Sequence, residues 1–405
     1  MGKPRPGTTK PPQDKPPQDK GVTVKFHVNR DVFSDAVSFV VKLLPQRNPQ
    51  PILAGVLIEA GPEGLSLSAF DYEASARTVI EATVDSPGTI LVHGRLLSEI
   101  ANRLPSAPIQ VVVDEDGGII LSCGSARFTL PGMPVQEYPA IPEVTAEPGL
   151  VPAEDFATAI AQVAFAASRD DVTPVLTGVQ LEVSGTTLSL VATDRYRVAL
   201  REIPWDGAAA REGEASALVP ARTLQEVGKT FAHGGDIRIA FSGSGDREII
   251  AFSSGDRTVT SLLIKGNFPP VRRLFPDQNA HHAVVNTGEL MEAVRRMQIV
   301  LDRSAPLRFT FSSEGVTMDA SGGDQARASE SVDAHLDGED VVLGLNPQYL
   351  LEALTAVRSE FVRITFTSSD NANKLSPVLI TSQTSVDKAG ADTFKYLLQP
   401  NLLLR

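Results

Sequence analysis

Residues 191–200 read Val-Ala-Thr-Asp-Arg-Tyr-Arg-Val-Ala-Leu, and this stretch indicates how the rest of the chain is built. It continues an apolar run that starts at Leu188, which is typical of a strand with a buried face. Thr193 and Asp194 then interrupt the run with side chains that favour a hydrogen-bonded turn. Apolar alternation resumes after the turn. The stretch therefore predicts two strands joined by a short polar turn.

The chain on either side repeats one pattern three times. Each copy starts with an amphipathic helix, because its apolar residues recur at helical spacing. A hairpin follows, and its first strand is expected at Pro51–Val56 in the first copy and at Pro174–Val179 in the second. A short strand then feeds a second helix, and another hairpin closes the copy. The apolar residues of the first helices are Phe33, Ala36, Val37, Val40, Val41 and Leu44; Phe156, Ala159, Ile160, Val163, Ala164 and Ala167; and Leu290, Ala293, Val294, Met297 and Leu301.

A chain of 405 residues is too long for one ordinary core. Each repeat of about 120 residues has the length of one domain. Alternating strands covered by two helices make an α+β layer. We therefore expect three tandem α+β domains, at residues 21–147, 148–278 and 279–405. Residues 1–20 contain Pro-Pro-Gln-Asp-Lys twice and almost no apolar side chains, so we expect a disordered proline-rich tail.

The composition is that of an average soluble protein, with 42% hydrophobic and 21% charged residues. No apolar run approaches the length of a membrane span, and the N-terminus has no apolar signal region. The single cysteine, Cys123, excludes a disulfide framework, and these features together predict a cytoplasmic protein. A net charge of −12 argues against a general nucleic-acid binder, but it allows DNA contact on one locally basic surface.

Basic residues recur on or beside the predicted helices. Head-to-tail contacts between three similar domains can close a ring, in which the free helix faces would line one side of every domain. Ordinary solvated helix faces are the alternative interpretation. The basic residues are Lys42, Arg47, Arg95, Arg103, Arg169, Arg222, Lys229, Arg295, Arg296, Arg303 and Arg358.

The chain from residue 22 to its end resembles the bacterial sliding clamp, the β subunit of DNA polymerase III. The matching motifs occur in all three repeats and in the same order as in that family. Because order, spacing and repetition agree, the resemblance is specific. The motifs are Pro-Ile-Leu-x-Gly at 51–55, Pro-Val-Leu-x-Gly at 174–178, Ala192-Thr193-Asp194, Asn267-Phe268-Pro269, Gly344-Leu345-Asn346 and Tyr396-Leu397-Leu398.

This resemblance implies the DNA clamp fold, with two chains closing into a homodimeric ring around duplex DNA. Such a ring is a DNA polymerase processivity factor. It makes sequence-independent contacts with phosphates, and it tethers the replicative polymerase, the clamp loader and repair proteins through linear peptide motifs. It catalyses no reaction and needs no cofactor or metal. No contact with a membrane is implied.

The resemblance also implies roles for individual residues. The DNA-binding positions are Arg47, Arg95, Arg169 and Arg222. The dimer contacts are Phe128 and Leu130 in the first domain and Val300 and Leu301 in the third, and both pairs are expected to be exposed. The peptide-binding pocket is Leu176, Thr193, Arg195, Tyr196, Arg197, Val198, Pro269, Arg273, Leu274, Pro377, Leu397, Leu398, Gln399 and Pro400.

The C-terminus departs from the family pattern, which ends in Met-Pro-Met-Arg-Leu or Met-Pro-Val-Arg-Leu. Gln399 and Asn401 stand where the family has flexible apolar residues, so we expect an altered floor of the pocket, with two amides that cost free energy if they are buried. Two alternatives follow: an inhibitor-resistant or otherwise specialised second copy of the clamp, or a peptide adaptor that no longer binds DNA. An enzyme has little support, since Gly228-Lys229-Thr230 lies mid-helix and His281-His282 has no spaced acidic partner.

Overall fold

The structure is a computed structural model that describes residues 24–42, 50–114, 117–207, 210–242, 248–276, 281–302, 305–323, 326–366, 376–390 and 393–403, with the backbone alone for residues 210–214. The predicted tail and Arg47 lie outside these residues. The described residues belong to two compact units. The first is drawn from Met1–Val41, Gln46–Ala69 and Thr78–Tyr138, and the second from Lys42–Pro45, Phe70–Arg77 and Pro139–Arg405.

The helices and strands follow the predicted order three times. Within the described residues the helices are α1 (Arg30–Lys42), α2 (Gly94–Ala101), α3 (Ala153–Val163), α4 (Ala221–Phe231), α5 (Thr287–Gln298) and α6 (Pro347–Val357). In the first repeat the strands are β1 (Lys25–Val28), β2 (Gly55–Gly61), β3 (Gly64–Phe70), β4 (Ala74–Ile80), β5 (Thr83–Ser86), β6 (Gly88–His93), β7 (Ile109–Val113), β8 (Gly118–Cys123) and β9 (Ala126–Pro131).

The later repeats contain the remaining strands. In the second repeat these are β10 (Gly149–Pro152), β11 (Gly178–Gly185), β12 (Thr187–Thr193), β13 (Arg197–Pro204), β14 (Ala210–Pro220), β15 (Asp236–Ser242), β16 (Ile249–Ser254) and β17 (Arg257–Leu262). In the third they are β18 (His282–Asn286), β19 (Leu307–Ser312), β20 (Gly315–Gly322), β21 (Ala326–Val332), β22 (Ala334–Asp337), β23 (Val341–Leu345), β24 (Phe361–Phe366), β25 (Val378–Ser385), β26 (Lys388–Ala389) and β27 (Phe394–Leu398).

The sheets are antiparallel, and helices pack on them. In the first unit β5-β1-β7-β8-β9 form one sheet, and β2 pairs with both β3 and β6. In the second unit β10-β15-β16-β17 lie side by side, and β21-β20-β19-β23 form a separate sheet. A further sheet runs β14-β11-β12-β13-β27-β25-β24-β18-β22, so that strands of the second repeat continue, through the pairing of β13 with β27, into strands of the third. The second and third repeats therefore share a compact unit.

Two predicted strands begin later than expected. Pro51–Ala54 and Pro174–Leu176 are short 3₁₀ helices, and the strands start after them at Gly55 and Gly178. Proline fixes φ near about −65° and has no N–H to donate, so it suits the first turn of a helix better than the start of a ladder. The predicted strand starts were therefore wrong by about the length of one 3₁₀ turn.

The apolar stripes also overrun the helices. Helix α3 ends at Val163 and passes into a 3₁₀ turn at Ala164–Ala166, and α5 ends at Gln298, before Leu301. Leu44 lies outside the described residues. The stripe residues beyond the helix ends at Ala164 and Ala167 are still buried, because the chain keeps packing on the sheet after its helical hydrogen bonds stop. Within the described residues no helix has the length and apolarity needed to cross a membrane.

The core of the second repeat includes one close approach that demands glycine. A Cβ added at Gly149 would lie 1.9 Å from Cζ2 of Trp205, whose ring is buried and packs edge-on against Phe241. The strand β10 and the buried indole therefore occupy space that no larger residue can share.

We expect Gly149→Ala to lower the free energy of unfolding by about 1–3 kcal/mol, since either the indole or the strand must shift. Gly235→Ala is the matched control, because a Cβ there would meet no atom within 4 Å. Urea unfolding of the two variants measures the difference. Equal stability of Gly149→Ala and wild type would contradict the packing.

Candidate functional site

The turn between β12 and β13 is held by its own side chains. The Thr193 hydroxyl donates to the carbonyl of Arg197 at 2.7 Å and accepts from the Arg195 N–H at 3.2 Å. One carboxylate oxygen of Asp194 accepts from the N–H groups of Tyr196 and Arg197 at 3.0 and 3.2 Å. These bonds support a left-handed backbone at Arg195, with φ of +80°, which L residues rarely adopt. The predicted polar turn is confirmed.

The C-terminal strand lies directly beside this turn. Val198 on β13 pairs with Leu397 on β27, and the N–H of Gln399 donates to the carbonyl of Tyr196 at 2.9 Å. Leu398 also pairs with Val378, the residue after Pro377. Residues that lie about 200 apart in sequence are thus neighbours in one sheet.

An apolar cluster forms on one face of this sheet. Its buried members are Val191, Val198, Leu200, Val271 and Leu397, and the half-buried side chains of Phe268, Phe275 and Leu379 pack against it. The cluster includes two of the residues that the resemblance assigned to the pocket, Val198 and Leu397. It joins strands of both repeats to the segment that connects the repeats.

The connecting segment is fixed to the sheet by charge as well as by apolar contact. Arg272 donates from Nε to Glu182 at 3.1 Å and from Nη1 to Glu202 at 3.2 Å. The segment therefore presents Pro269, Arg273 and Leu274 beside the cluster, with Leu274 half exposed. These three residues are members of the predicted pocket.

Two grooves flank the cluster. We call the first the turn groove; its volume is about 390 Å³, and it is lined by Ala167, Ser168, Arg169, Asp170, Thr173, Asp194, Arg195, Tyr196, Arg197, Gln348, Tyr349 and Glu352. The second, the linker groove, is about 730 Å³ and is lined by Gln180, Glu182, Val191, Ser216, Ala217, Leu218, Glu248, Leu263, Ile264 and the segment 266–273.

The grooves divide the predicted pocket residues between them. Arg195, Tyr196 and Arg197 line the turn groove, whereas Pro269 and Arg273 line the linker groove. Six further predicted pocket residues are buried and line neither groove: Leu176, Thr193, Val198, Leu397, Leu398 and Pro400. Pro377 and Gln399 are half buried.

Sequence reasoning missed the wall contributed by α6. Gln348, Tyr349 and Glu352 line the turn groove, and Tyr196 faces Tyr349 with ring centroids 6.4 Å apart. The only sequence signal for this wall was Asn346, whose side chain accepts from the N–H groups of Gln348 and Tyr349 and so fixes the start of α6.

Arg197 is a buried residue and not an open peptide contact. Its side chain is 5% exposed; Nε donates to Asp194 at 2.9 Å, Nη2 to the carbonyl of Phe165 at 2.8 Å, and Nη1 to Glu352. The guanidinium carbon lies 4.2 Å from the centre of the Tyr349 ring. Burial alone would lower the pKa of this guanidinium, but Tyr396, Glu352 and Asp194 together raise it.

The prediction that a buried amide alters the floor of the pocket is wrong for Asn401. Its side chain is exposed, and its backbone N–H donates to the carbonyl of Gly344 at 2.8 Å, so that the end of the chain lies along β23. An exposed amide keeps its hydration and carries no burial penalty. Gln399, half buried beside Tyr196, is the amide that can alter the pocket.

The remaining predicted positions differ in exposure. Arg95 on α2, Arg222 on α4 and Arg169 are exposed. Phe128 is 38% exposed, whereas Leu130, two residues along the same strand face, is 4% exposed, because it pairs with the buried Ile119. The expectation that Leu130 is exposed was therefore wrong.

In the third repeat the two residues expected to be exposed are only partly exposed, and a neighbour is exposed instead. Val300 and Leu301 are half buried, but Ile299 beside them is 84% exposed. The exposure of Ile299 could not be predicted from the helical apolar spacing, because α5 ends at Gln298, one residue before it. Among the described residues no cluster of three or more histidine, cysteine or acidic side chains could hold a metal ion.

Comparisons with known proteins agree in all three repeats. Family models of the DNA polymerase III beta subunit match in order: the N-terminal domain at residues 24–142, the central domain at 150–270 and the C-terminal domain at 272–388. The beta sliding clamp of Streptomyces coelicolor is 42% identical over 93% of this chain and 99% of its own length.

Two further relatives extend this picture. The beta sliding clamp homolog GriR of Streptomyces muensis is 36% identical over 93% of this chain and 99% of its own. The crystal structure of a Pseudomonas aeruginosa sliding clamp bound to griselimycin has a TM-score of 0.83 and 26% identity, covering 94% of this chain and 100% of that chain.

Three repeated α+β domains with these matches define a protein of the DNA clamp class. The chain belongs to the DNA polymerase III beta subunit family, the sliding clamps of bacterial DNA replication. Members of this family are polymerase processivity factors.

The Tyr396 phenol beneath the site predicts a pH dependence. Burial raises its pKa above the ordinary 10.0, and its hydroxyl donates to the carbonyl of Tyr349 at 3.2 Å. A group whose pKa is raised by folding contributes stability below its unfolded pKa and loses it as the pH rises through the folded value.

We therefore expect Tyr396→Phe to be less stable than wild type near neutral pH by about 1 kcal/mol, because one hydrogen bond is lost. Above pH about 10 the difference should shrink and then reverse, since only the wild type must ionise a phenol on unfolding. Tyr196→Phe, at an exposed tyrosine, is the control. Urea unfolding at a series of pH values measures the effect, and a difference that does not change with pH would contradict it.

Proposed function

We propose that two copies of this chain close into a ring around duplex DNA and act as a polymerase processivity factor that catalyses no reaction itself. The observation that carries the proposal is the threefold clamp domain, matched by its family in all three repeats. A ring can slide along DNA and stay attached because the link is topological. As a replication factor the protein would act in the cytoplasm.

Edge strands support a dimer. β9 is an edge of its sheet in the first unit, and β21 is an edge of its sheet in the second. Unpaired edges readily accept a strand from another chain. Exposed apolar side chains stand at both places, Phe128 on β9 and Ile299 just after the helix α5 that packs on β21. We propose that β9 of one copy pairs with β21 of its partner, twice in the ring.

Contact with DNA is proposed for Arg47, Arg95, Arg169 and Arg222. Exposed guanidinium groups bind phosphate without reading the sequence. The overall charge of −12 would repel DNA from the rest of the surface. The contacts therefore need only be weak, because the ring itself prevents dissociation.

Peptide motifs of the polymerase, the clamp loader and repair proteins are proposed to bind at the apolar cluster between the grooves. The half-exposed Leu274 and Tyr196 and the buried Val198 and Leu397 would take leucine or phenylalanine anchors. Polar groups of the turn groove would hold the peptide backbone. The similarity of the chain to a sliding clamp bound to griselimycin supports a ligand site in this fold.

A specialised second copy remains the other candidate, and Gln399 is the observation that favours it. The comparisons favour the ordinary clamp, since identity to the Streptomyces coelicolor clamp (42%) exceeds identity to GriR (36%). An adaptor that does not bind DNA would require loss of the ring.

The dimer is tested by Leu301→Asp, which places a charge in the proposed interface. We expect a dimer for wild type and a monomer for the variant in sedimentation velocity at micromolar concentration, because a buried unpaired charge is costly. Leu402→Asp is the control, since Leu402 is 75% exposed at the other end of the third repeat. A wild type that is already monomeric would overturn the proposal.

The topological link is tested on nicked circular DNA after loading by a clamp loader. We expect the protein to stay on the circle and to leave once the DNA is cut, because a ring slides off free ends. Arg222→Ala should weaken residual binding for any sequence and make it less dependent on salt, whereas Lys388→Ala, which removes the same charge elsewhere, should not. Equal retention on linear DNA would contradict the mechanism.

A further inference from the structure

The buried Arg197 links the two repeats at the turn groove. Asp194 and the carbonyl of Phe165 belong to the second repeat, whereas Glu352 and Tyr349 belong to α6 of the third. Each guanidinium nitrogen donates to a different acceptor. Three of the five N–H donors of the guanidinium are therefore already used within the protein.

Glu352 is equally committed. Its Oε2 accepts from Arg197, and its Oε1 accepts from Nε2 of Gln348 at 3.1 Å. This carboxylate is the one charge from the third repeat that contacts Arg197 among the described residues. Removing it would leave a buried cation with a single carboxylate partner, Asp194.

The turn next to Arg197 depends on this arrangement. Asp194 bonds the Arg197 side chain with one oxygen and the N–H groups of Tyr196 and Arg197 with the other. Arg195 has the left-handed backbone described above, so the turn adopts this shape only while its neighbours hold it. At its tip Tyr196 is 61% exposed and lines the turn groove.

We propose that Glu352 is a positioning residue for peptide binding: through Arg197 and Asp194 it holds the turn so that Tyr196 stands at the rim of the groove. This inference rests on the proposed peptide-binding function. Both carboxylate oxygens of Glu352 already accept hydrogen bonds within the protein, from Arg197 and from Gln348. Its effect reaches the ligand through the orientation of Tyr196, which is the exposed member of the chain of contacts.

Two substitutions of Glu352 separate the loss of its negative charge from the loss of its hydrogen-bond acceptors. Glu352→Leu removes both acceptor oxygens, whereas Glu352→Gln keeps one oxygen that can accept from Arg197. Glu292→Leu is the matched control, because Glu292 lies on the neighbouring helix α5 and forms an exposed ion pair with Arg295 of the same helix. All proteins are compared as full chains, at a temperature well below their unfolding transitions.

Calorimetric titration with a polymerase-derived peptide that carries leucine and phenylalanine anchors gives the first readout. We expect Glu352→Leu to raise Kd about tenfold, the size of a typical coupling between contacting side chains, while Glu352→Gln retains most of the affinity. Glu292→Leu should leave Kd unchanged. In a Tyr196→Ala background the effect of Glu352→Leu should fall below about twofold, because the positioned side chain is absent.

The rate of amide hydrogen exchange reports on the stability of the turn in the absence of peptide. The Tyr196 N–H, which donates to Asp194, should exchange faster in Glu352→Leu, whereas the amides of the β12–β13 ladder around Leu200 should not change. If wild type binds no peptide, the proposed function fails, and this exchange still decides whether Glu352 holds the turn.

Three results would overturn the inference. Glu352→Leu could lower the unfolding midpoint yet bind peptide as wild type does, which would make Glu352 merely structural. Its effect could be the same with and without the Tyr196 side chain. Exchange at Tyr196 could be unaltered in Glu352→Leu.

Discussion

The pairing of β13 with β27 is the constraint on which the site depends. It makes strands of the second and third repeats neighbours in one sheet, with Val198 opposite Leu397. Beside it, Arg197 ties the turn of the second repeat to α6 of the third through Glu352. A guanidinium is suited to this place, since its planar fork satisfies several acceptors at once and stacks on the Tyr349 ring.

The apolar cluster and the two grooves follow from that pairing. A sheet that continues across two repeats presents a continuous face, and the connecting segment crosses this face, held by Arg272 and by Phe268. The linker groove is lined in part by this segment, and the turn groove is lined by the β12–β13 turn and by α6. A proposed peptide site at this junction would respond to any change in how the repeats are joined.

The sequence predicted the repeat and the turn well, because both depend on local patterns. Apolar periodicity located the helices, and Thr193 and Asp194 located the turn between β12 and β13. The strand starts at Pro51 and Pro174 were misplaced, since alternation alone does not distinguish a 3₁₀ turn from a strand. Contacts between elements that are distant in the sequence could not be predicted from local patterns.

Arg197 shows most clearly that burial could not be predicted from the sequence. The resemblance assigned it to the pocket, whereas its burial depends on Tyr349 and Glu352, more than 150 residues later. Leu130 and Asn401 were misjudged for the same reason, because their exposure is decided by Ile119 on the neighbouring strand and by the edge of β23. Residue type and spacing indicate which residues gather, whereas burial is settled by the tertiary partners.

The most direct measurement is a crystal structure of the protein with a bound polymerase-derived peptide. The account predicts a peptide whose apolar anchors contact Val198, Leu397 and Leu274, with Tyr196 at its side and Arg197 still bonded to Glu352. A peptide seated away from the apolar cluster, or one that takes Arg197 from Glu352 as its own ligand, would contradict it.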